Sequence, residues 1–317
     1  FTIMIYKPRE DSFLLQKQVK KYAKGFVLDM GTGSGIQALT AAKKKNVKRV
    51  VATDIHQKVI DYCKKIIKNK KIFFIKSDLF NSIDDKFDTI IFNPPYLPKD
   101  VRLKDLTIEG GKKGYEIIKK FLNEVNDYLK SKGVILIVFS SLTKKERVDE
   151  IIEKNLLQSK LLDKKHIFFE DLYVYLIKKK DLLNGLEKKN ISDIKFFIKG
   201  HRGYLFKGKY KNKEIIIKIK NPESKAKERI QNEIKHLKLL NKHKIGPKLF
   251  FYSKNYFVYE FIEGDFIIDY IKKNSKDKIK DIIKKIFKQL YLMDKLKINK
   301  EEMHHPYKHI IIKNENL

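Results

Sequence analysis

The fold of this chain is decided by one stretch near its beginning, GFVLDMGTGSGI at residues 25–36. An apolar run that contains Asp29 leads into a turn that carries Gly31, Gly33 and Gly35. Glycines permit a ligand to approach the backbone closely, and a glycine-rich turn between a strand and a helix is typical of doubly wound α/β sheets. The stretch therefore predicts the first βα unit of such a sheet, with a ligand at the strand's carboxyl end.

The acids around this turn indicate which ligand it holds. Asp29 stands two residues before the first glycine, and a second apolar run, residues 49–53, ends in Asp54. A nicotinamide site would read G-x-G-x-x-G or G-x-G-x-x-A, whereas D-x-G-x-G-x-G is the pattern of S-adenosylmethionine sites. We expect Asp29 to hold the amino group of the methionine moiety and Asp54 to accept bonds from both ribose hydroxyls.

A third predicted strand, residues 72–76, ends in SDLF at residues 77–80. We expect Asp78 to bond an adenine amino group and Phe80 to cover the adenine ring. The alternative for Asp78 is an ordinary loop carboxylate. The complete set of predicted cofactor-binding residues is Glu10, Asp11, Asp29, Gly31, Thr32, Gly33, Gly35, Asp54, Ile55, Asp78, Leu79 and Asn93.

The acceptor chemistry is indicated by NPPY at residues 93–96, which follows the predicted strand 87–92. The two prolines fix the backbone and hold the residues before them extended. The Asn93 amide and the Pro94 carbonyl can then converge on one point beside Tyr96, which suits a planar –NH₂ group. The predicted catalytic residues of methyl transfer to an amide or amine nitrogen are Asn93, Pro94, Pro95 and Tyr96.

This chemistry leaves the substrate open. A primary amide nitrogen is a weak nucleophile, and acceptors for its two N–H bonds favour the transition state, in which the nitrogen gains positive charge. Adenine and cytosine are flat and carry –NH₂ as well, although a base in a duplex must first be flipped out. A protein amide and an adenine amino group of rRNA, tRNA or DNA are both candidate substrates.

The net charge of +32 suits nucleic acid, the ribosome or tRNA-bound factors as partners. Only six of the 71 Lys and Arg residues are arginines, however, and the lysines are spread along the whole chain. A bias toward A/T-rich codons explains this pattern equally well, because a site selected for phosphate would more often recruit arginine. The charge alone does not decide between the two explanations.

The remaining composition bounds compartment and domain number. We expect a cytoplasmic protein without membrane contact, because no stretch approaches the roughly 18 apolar residues of a membrane span and no signal peptide is visible. The chain begins with Phe1, so we expect its natural start to be missing. Cys63 is the single cysteine, which excludes an intrachain disulfide and a cysteine-based zinc site, and its helical apolar pattern predicts a buried side chain.

Strand and helix signals alternate up to about residue 180, which predicts a parallel sheet with helices on both faces. The first helix should begin near residues 10–12, and residues 97–109 should form a loop over the site. The last two strands are predicted at residues 166–169 and 173–177. The predicted apolar face of the first helix includes Phe13, Leu14 and Val19.

The first 180 residues resemble the HemK family of S-adenosylmethionine-dependent methyltransferases. YKPREDSFLL at residues 6–15 matches the Y-x-P-x-E-D-S/T-x-L-L motif that opens the short archaeal and eukaryotic branch. The D-x-G-x-G-x-G turn, the strand end at Asp54, SDLF, NPPY and a Gly-Gly-x-x-Gly helix start at residues 110–114 follow in the family's order.

The resemblance implies a doubly wound, seven-stranded class I methyltransferase fold. It implies protein-(glutamine-N5) methylation, with the glutamine of the GGQ motif in a class-1 translation release factor as the substrate. It also implies a small zinc-binding activator subunit as a partner.

The second half has a different pattern. Residues 182–190 are polar with one glycine, which predicts a linker between a methyltransferase domain at residues 1–181 and a second domain at residues 191–317. The second domain begins with three strands, and a helix from residue 222 to 242 follows. Two more strands and two helices complete its predicted order.

This order resembles the N-terminal lobe of Rio-type and related atypical protein kinases, an α+β fold. The resemblance implies that Lys218 holds the α- and β-phosphates of ATP and that Glu233 orients it. It also implies that residues 259–264 frame the adenine. The irregularly spaced glycines that stand for the phosphate loop are Gly200, Gly203 and Gly208.

Kinase activity is a separate question. A kinase catalytic loop carries an Asp, then an Asn, then a metal-binding Asp, but the matching stretch here has His304 or His305 and then His309. We predict no metal site. Either the sequence is truncated before a loop that binds Mg and ATP, or this half is an ATP- or tRNA-end-binding appendage without phosphotransfer. In the second case it would recruit the enzyme to tRNA-bound or ribosomal machinery.

Overall fold

The computed structural model describes residues 6–97, 111–200, 203–220, 229–298, 307 and 310–314 of the chain. The chain divides into two compact units, Phe1–Lys188 and Lys189–Leu317. Of the helices in the described ranges, none combines the length and the apolar character that crossing a bilayer requires.

The first unit alternates strands and helices. Its strands are β1 (Gly25–Met30), β2 (Val47–Asp54), β3 (Ile72–Lys76), β4 (Phe87–Phe92), β5 (Leu129–Ser140), β6 (Leu157–Ile167) and β7 (Glu170–Lys179). Its α-helices are α1 (Glu10–Tyr22), α2 (Ile36–Ala42), α3 (Gln57–Ile66), α4 (Glu116–Glu124), α5 (Lys145–Lys154) and α6 (Asp181–Glu187).

The seven strands form one sheet in the order β3-β2-β1-β4-β5-β7-β6. Strands β1 to β5 pair in parallel, whereas β7 runs antiparallel to both β5 and β6. The prediction of a parallel sheet is therefore wrong for β7, which runs opposite to the other six strands and forms a hairpin with β6. Strand β1 lies between β2 and β4. The strands β2 and β3 are added on one side of β1, and β4 and the later strands are added on its other side. Ligands bind at such a switch point, outside the carboxyl ends of the strands.

Two apolar clusters cover the two faces of this sheet. Leu28 and Met30 belong to one cluster and Val27 to the other, as the alternation of side chains along a strand requires. Leu15 and Val19 of α1 lie in the second cluster. Phe13 of the same helix lies outside both clusters and is 56% exposed. Its predicted place on the apolar face of α1 is therefore wrong.

Phe80 lies in the first cluster and is buried. Its ring stacks on Tyr128 with the centroids 4.2 Å apart, and on Phe121 with the centroids 5.5 Å apart. Aromatic stacking of this kind adds to the free energy gained from burial alone. The prediction that Phe80 covers a bound adenine is therefore wrong, because the ring is already used in the core.

The predicted linker is partly helical. Helix α6 spans most of it, and Leu183 and Leu186 of this helix are buried within the first unit. The buried Lys179 ammonium lies 2.6 Å from a carboxylate oxygen of Glu187 and donates a bond of 2.7 Å to the carbonyl of Asn126. This ion pair ties α6 to the end of β7.

The strands of the second unit are β8 (Ile191–Gly200), β9 (Gly203–Tyr210), β10 (Lys213–Lys220), β11 (Leu249–Tyr252), β12 (Tyr256–Glu260), β13 (Asp265–Phe266) and β14 (Ile311–Ile312). Its helices are α7 (Arg229–Lys242), α8 (Ile267–Lys273) and α9 (Lys276–Lys295). Five of the strands form an antiparallel sheet in the order β11-β12-β10-β9-β8. Ile230 and Ile234 of α7 pack with Phe257 of this sheet.

Several predicted features fall outside the described residues. They are the loop at residues 98–109 with the glycine at 110, the turn at residues 201–202, the beginning of the predicted helix at residues 222–228, and the histidines at 304, 305 and 309.

Candidate active site

A cavity of about 420 Å³ lies at the carboxyl ends of β1, β2, β3 and β4 in the first unit. The segments that follow these four strands line it, together with the beginning of α1 and the turn between β6 and β7. The predicted site residues that line it are Glu10, Asp11, Asp29, Gly31, Thr32, Gly33, Asp54, Ile55, Asp78, Leu79, Asn93, Pro94, Pro95 and Tyr96.

The glycine turn between β1 and α2 forms one wall. Gly31 and Gly33 line the cavity, and both have the positive φ that favours glycine. Gly35 is not among the lining residues. It precedes α2 with a φ of 80°, and a Cβ atom there would lie 2.3 Å from Cδ1 of Ile67. The structure therefore assigns Gly35 to helix packing, which corrects its prediction as a cofactor-binding residue.

Asp29 joins the strand, the turn and the following helix. Its Oδ2 accepts a bond of 2.7 Å from the Thr32 hydroxyl and one of 3.0 Å from the Ala38 N–H. The side chain is 1% exposed, and burial raises the pKa of this carboxyl to about 7. Both of these bonds use Oδ2, so Oδ1 is left for a ligand.

Asp54 ends β2 and holds the glycine turn from the other side. Its Oδ2 accepts a bond of 3.2 Å from the Gly33 N–H, and its Oδ1 accepts one of 3.0 Å from the His56 N–H. Burial raises the pKa of this carboxyl above its ordinary value. The residue lines the cavity where its prediction placed it.

Asp78 and Leu79 follow β3 and line the cavity. The Asp78 side chain is 46% exposed and forms an ion pair of 3.1 Å with Lys120. An adenine donor would therefore compete with an ammonium group for this carboxylate.

Cys63 of α3 contacts the glycine turn. Its thiol is buried and donates a bond of 3.2 Å to the carbonyl of Gly33. Burial raises the pKa of this thiol to about 12. The predicted burial of Cys63 is confirmed, and the side chain also bonds the turn.

Asn93 follows β4, and the hydrogen bonds of its side chain are unequal. Nδ2 donates a bond of 3.0 Å to Oδ2 of Asp11 and lies 3.4 Å from Oγ of Ser12. Oδ1 is buried and has no hydrogen-bond partner among the residues that the structure describes. A buried acceptor without a donor costs free energy, so Oδ1 is where a ligand N–H would be stabilised.

Asp11 accepts hydrogen bonds from several side chains at this end of the cavity. It is buried and accepts hydrogen bonds from the Tyr6 hydroxyl at 2.9 and 3.0 Å, from the Ser12 N–H at 2.6 Å and from the Tyr96 hydroxyl at 3.3 Å, besides the one from Asn93. Its oxygens are thus used by the protein itself. Asp11 was predicted to bind the cofactor, but its contacts make it a residue that positions Asn93 and Tyr96.

Both tyrosines that bond Asp11 are held protonated. Burial and the neighbouring Asp11 carboxylate raise the pKa of Tyr6 and of Tyr96 far above the ordinary value of a phenol. Each hydroxyl therefore remains a hydrogen-bond donor at neutral pH.

The walls of the cavity are acidic, in contrast to the chain as a whole. The cations among its described lining residues are Arg9 and, when protonated, His56. The carboxylates among them are Glu10, Asp11, Asp29, Asp54, Asp78 and Glu170. The charge of +32 is therefore not concentrated here. Within the described part of the chain, no cluster of three or more His, Cys, Asp and Glu side chains could hold a metal ion.

Glu170, Ile167 and Phe168 also line the cavity, and sequence reasoning missed them. Ile167 ends β6, Phe168 lies in the hairpin turn, and Glu170 begins β7. No motif marks them, and their place depends on the antiparallel direction of β7, which the sequence pattern does not reveal.

The second unit brings Lys218 and Glu233 together. The Lys218 ammonium on β10 forms an ion pair with the Glu233 carboxylate on α7. The side chains of Lys218 and Glu233 are both partly buried. Burial also raises the pKa of the nearby Tyr259 phenol to about 12.

Comparison with known proteins decides the family. Residues 10–169, half of the chain, match the model of the family described as methyltransferase small domain. The chain belongs to the methyltransferase small domain family. Its first unit accordingly has the seven-stranded mixed sheet of a class I S-adenosylmethionine-dependent methyltransferase.

Relatives in this methyltransferase family carry related names. A Methanocaldococcus jannaschii protein named as a protein N5-glutamine methyltransferase is 39% identical over 155 residues, which are 46% of this chain and 78% of that protein. A Streptococcus pneumoniae release factor glutamine methyltransferase is 36% identical over 121 residues, which are 34% of this chain and 43% of that protein. The match thus spans less than half of the bacterial relative.

A solved structure is also similar. It is the E. cuniculi Mtq2–Trm112 complex, which is described as responsible for the methylation of the eRF1 translation termination factor. The similar chain is 25% identical with a TM-score of 0.45, and the match covers 55% of this chain and 98% of that one.

Proposed function

We propose that the first unit transfers the methyl group of S-adenosylmethionine to the side-chain amide nitrogen of a protein glutamine, the one in the GGQ motif of a class-1 translation release factor. The observation that carries this proposal is the fixed orientation of Asn93. Asp11 holds its Nδ2, and its Oδ1 is buried without a partner among the described residues. This acceptor beside the cavity matches a substrate N–H.

The residues of the cavity fit S-adenosylmethionine. Oδ1 of Asp29 suits the amino group of its methionine part, and Asp54 suits its ribose hydroxyls. Gly31 and Gly33, which have positive φ and no side chain, leave room for a ligand beside the backbone. When bound, this cofactor supplies an electrophilic methyl group on a sulfonium sulfur.

The residues beside Asn93 indicate what the protein does for the transfer. The amide nitrogen gains positive charge as it attacks, and hydrogen bonds from its N–H groups to fixed acceptors strengthen as that charge develops. Asn93 supplies such an acceptor without moving, because Asp11 already fixes its plane. Tyr6 and Tyr96 are held protonated, so neither acts as a base, and the nitrogen's proton leaves to solvent after the transfer.

The acidic wall favours a protein substrate over a nucleic acid. Phosphodiester groups that approach Glu170 and the other carboxylates of the cavity wall would be repelled, whereas phosphate recognition needs Lys and Arg. The names of the two relatives support glutamine as the acceptor. A small zinc-binding activator subunit remains an expectation from the family resemblance.

The test uses labelled S-adenosylmethionine and three acceptors: a GGQ-containing release factor, the same factor with that glutamine replaced by alanine, and cellular RNA. We expect label on the first alone. Asn93→Ala should lose most turnover and keep cofactor binding within about threefold, because Asn93 acts on the acceptor. Label on RNA or DNA, with none on the factor, would overturn the proposal in favour of a nucleic-acid amino-methyltransferase.

We also propose that the second unit binds the phosphates of ATP through Lys218. The ion pair with Glu233 favours this, because a glutamate fixes the lysine so that its ammonium can contact phosphate oxygens. We expect the full chain to bind ATP and Lys218→Met to weaken that binding at least about tenfold. Lys209→Met removes the same charge from an exposed pair with Asp193 and should have little effect. The absence of ATP binding by the unaltered chain would exclude this function.

A further inference from the structure

The hairpin turn between β6 and β7 presents two aromatic side chains to solvent. Phe168 is 90% exposed and Phe169 is 97% exposed, and Phe168 also lines the cavity. Phe168 has a φ of 43°, which a bulky side chain rarely adopts. Strain of this kind persists where the surrounding structure imposes it, and it is concentrated at functional sites.

The turn is held in place by Asp171. This carboxylate pairs with Lys164 at 2.9 Å and lies 3.0 Å from Nδ1 of His166. It accepts a bond of 3.4 Å from the Tyr173 hydroxyl, and its own N–H donates a bond of 3.0 Å to Oγ of Ser141. The exposed rings are therefore carried by a well-anchored segment, as a binding element requires.

Glu170 is the first residue of β7 and directly follows the turn. It lines the same cavity as Asn93, and its Oε2 is buried without a hydrogen-bond partner among the described residues. Tyr96 of the NPPY segment lines the same cavity, and the Glu170 charge is one of the causes that raise the pKa of the Tyr96 phenol. A buried carboxyl oxygen without a donor is costly, and an incoming N–H group would remove that cost.

We propose that Phe168 and Glu170 form the substrate-binding turn of the enzyme: Glu170 accepts a hydrogen bond from a main-chain N–H beside the target glutamine, and the Phe168 ring packs on the same substrate loop. The proposal rests on the proposed function and adds the residues that select the substrate. The occupant is a loop of a protein, because a carboxylate repels phosphate and needs an N–H donor, and exposed rings gain by covering apolar main-chain atoms.

The test compares Glu170→Gln with Glu153→Gln, a matched change at a glutamate that is 58% exposed and pairs with Lys180. Methylation of the release factor is measured over a range of factor concentrations, with cofactor affinity measured separately. For Glu170→Gln we expect KM for the factor to rise about three- to tenfold, because the amide oxygen of Gln still accepts the N–H but lacks the charge that strengthens the bond. We expect kcat and cofactor affinity to change less than about twofold, because Glu170 acts on substrate binding alone. The Glu153→Gln variant should match the unaltered enzyme.

Phe168→Ser provides a second, independent variant, because a ring this exposed contributes little to folding. It should also raise KM and leave cofactor affinity unchanged. An unchanged KM in both variants, with the unaltered enzyme active on the factor, would overturn this proposal alone. No methylation of the factor by the unaltered enzyme would overturn the proposed function and this proposal with it.

Discussion

The side-chain amide of Asn93 donates a hydrogen bond of 3.0 Å to Oδ2 of Asp11, although 82 positions separate the two residues in the chain. This bond connects the motif at the start of the first helix with the one after the fourth strand. It uses the donor end of the amide and leaves the acceptor end for a substrate. In the proposed function the two motifs act as one unit, in which Asp11 sets the orientation of the Asn93 amide and Asn93 contacts the acceptor nitrogen of the substrate.

Asp11→Asn should lower kcat for the release factor by about 10- to 100-fold, because it removes the charge that holds Asn93 and places an –NH₂ group beside other donors. Cofactor affinity should change by less than about threefold, since Asp11 bonds the protein. The measurements are steady-state methylation and calorimetric titration with the cofactor. Asp61→Asn makes the same change at an exposed carboxylate that bonds Gln57 and should be neutral. A larger effect on cofactor affinity than on kcat would contradict this prediction and show that Asp11 binds the cofactor.

The raised pKa of Asp29 predicts a specific dependence of stability on pH. Between the ordinary value of 3.8 and about 7, the folded protein keeps a proton on this carboxyl that the unfolded chain has lost. The folded state then binds more protons, so the contribution of Asp29 to stability falls as pH rises through this window, by up to about 1.4 kcal/mol per pH unit, and is constant above it.

Asp29→Asn isolates this effect, because an asparagine oxygen can still accept the bonds from Thr32 and Ala38. The difference in unfolding free energy between the unaltered protein and this variant, from urea titrations at pH 4.5 to 8 without cofactor, should change across that window in favour of the variant as pH rises. A difference that is independent of pH would contradict the pKa of about 7.

Two glycine substitutions should have opposite effects. Gly35→Ala places a Cβ 2.3 Å from Ile67 at a φ of 80°, so we expect a loss of about 3 kcal/mol of stability from strain and overpacking. Gly185→Ala lies inside α6 with nothing within 4 Å of the new Cβ, and should gain about 0.5–1 kcal/mol. Thermal and urea unfolding give both values. Equal changes of the same sign would contradict this account of the glycine turn.

Removing either partner of the Lys179–Glu187 pair should lower the free energy of unfolding, but by different amounts. Glu187→Ala leaves a buried ammonium that is 1% exposed without its counterion, and we expect a loss of about 2 kcal/mol. Lys179→Met removes the buried charge and keeps an apolar side chain of similar length, so it should cost less, about 1 kcal/mol. As a control, Glu150→Ala removes an exposed partner of Arg147 and Lys154, with an expected cost under about 1 kcal/mol. Urea unfolding measures all three variants, and a greater cost for Lys179→Met than for Glu187→Ala would contradict the ion pair's role.

Much of the first unit could be predicted, because its strands are buried apolar runs bounded by polar turns. The bounds predicted for β3 and β4 match those observed. The positions of Asp29 and Asp54 at adjacent strand ends follow from the βα order, since the carboxyl ends of parallel strands meet at one edge.

Other features depend on contacts between distant residues and left no local signal. The direction of β7 and the place of Glu170 are set by pairing with β5 and β6. Phe80 follows a strand end like a ligand-binding residue, but stacking on Tyr128 and Phe121 holds it in the core. Asp11 carries the charge of a cofactor ligand, and only the folded chain brings Asn93 and Tyr96 to its oxygens.

The buried thiol of Cys63 offers a direct probe of the cofactor site in solution. It is the only cysteine in the chain and it bonds the carbonyl of Gly33, so a disulfide reagent can modify it only when the glycine turn opens. The rate of that modification reports how often the turn opens, without any label being introduced. A ligand that closes the turn would slow the reaction, which makes this one sulfur atom a screen for compounds that occupy the site.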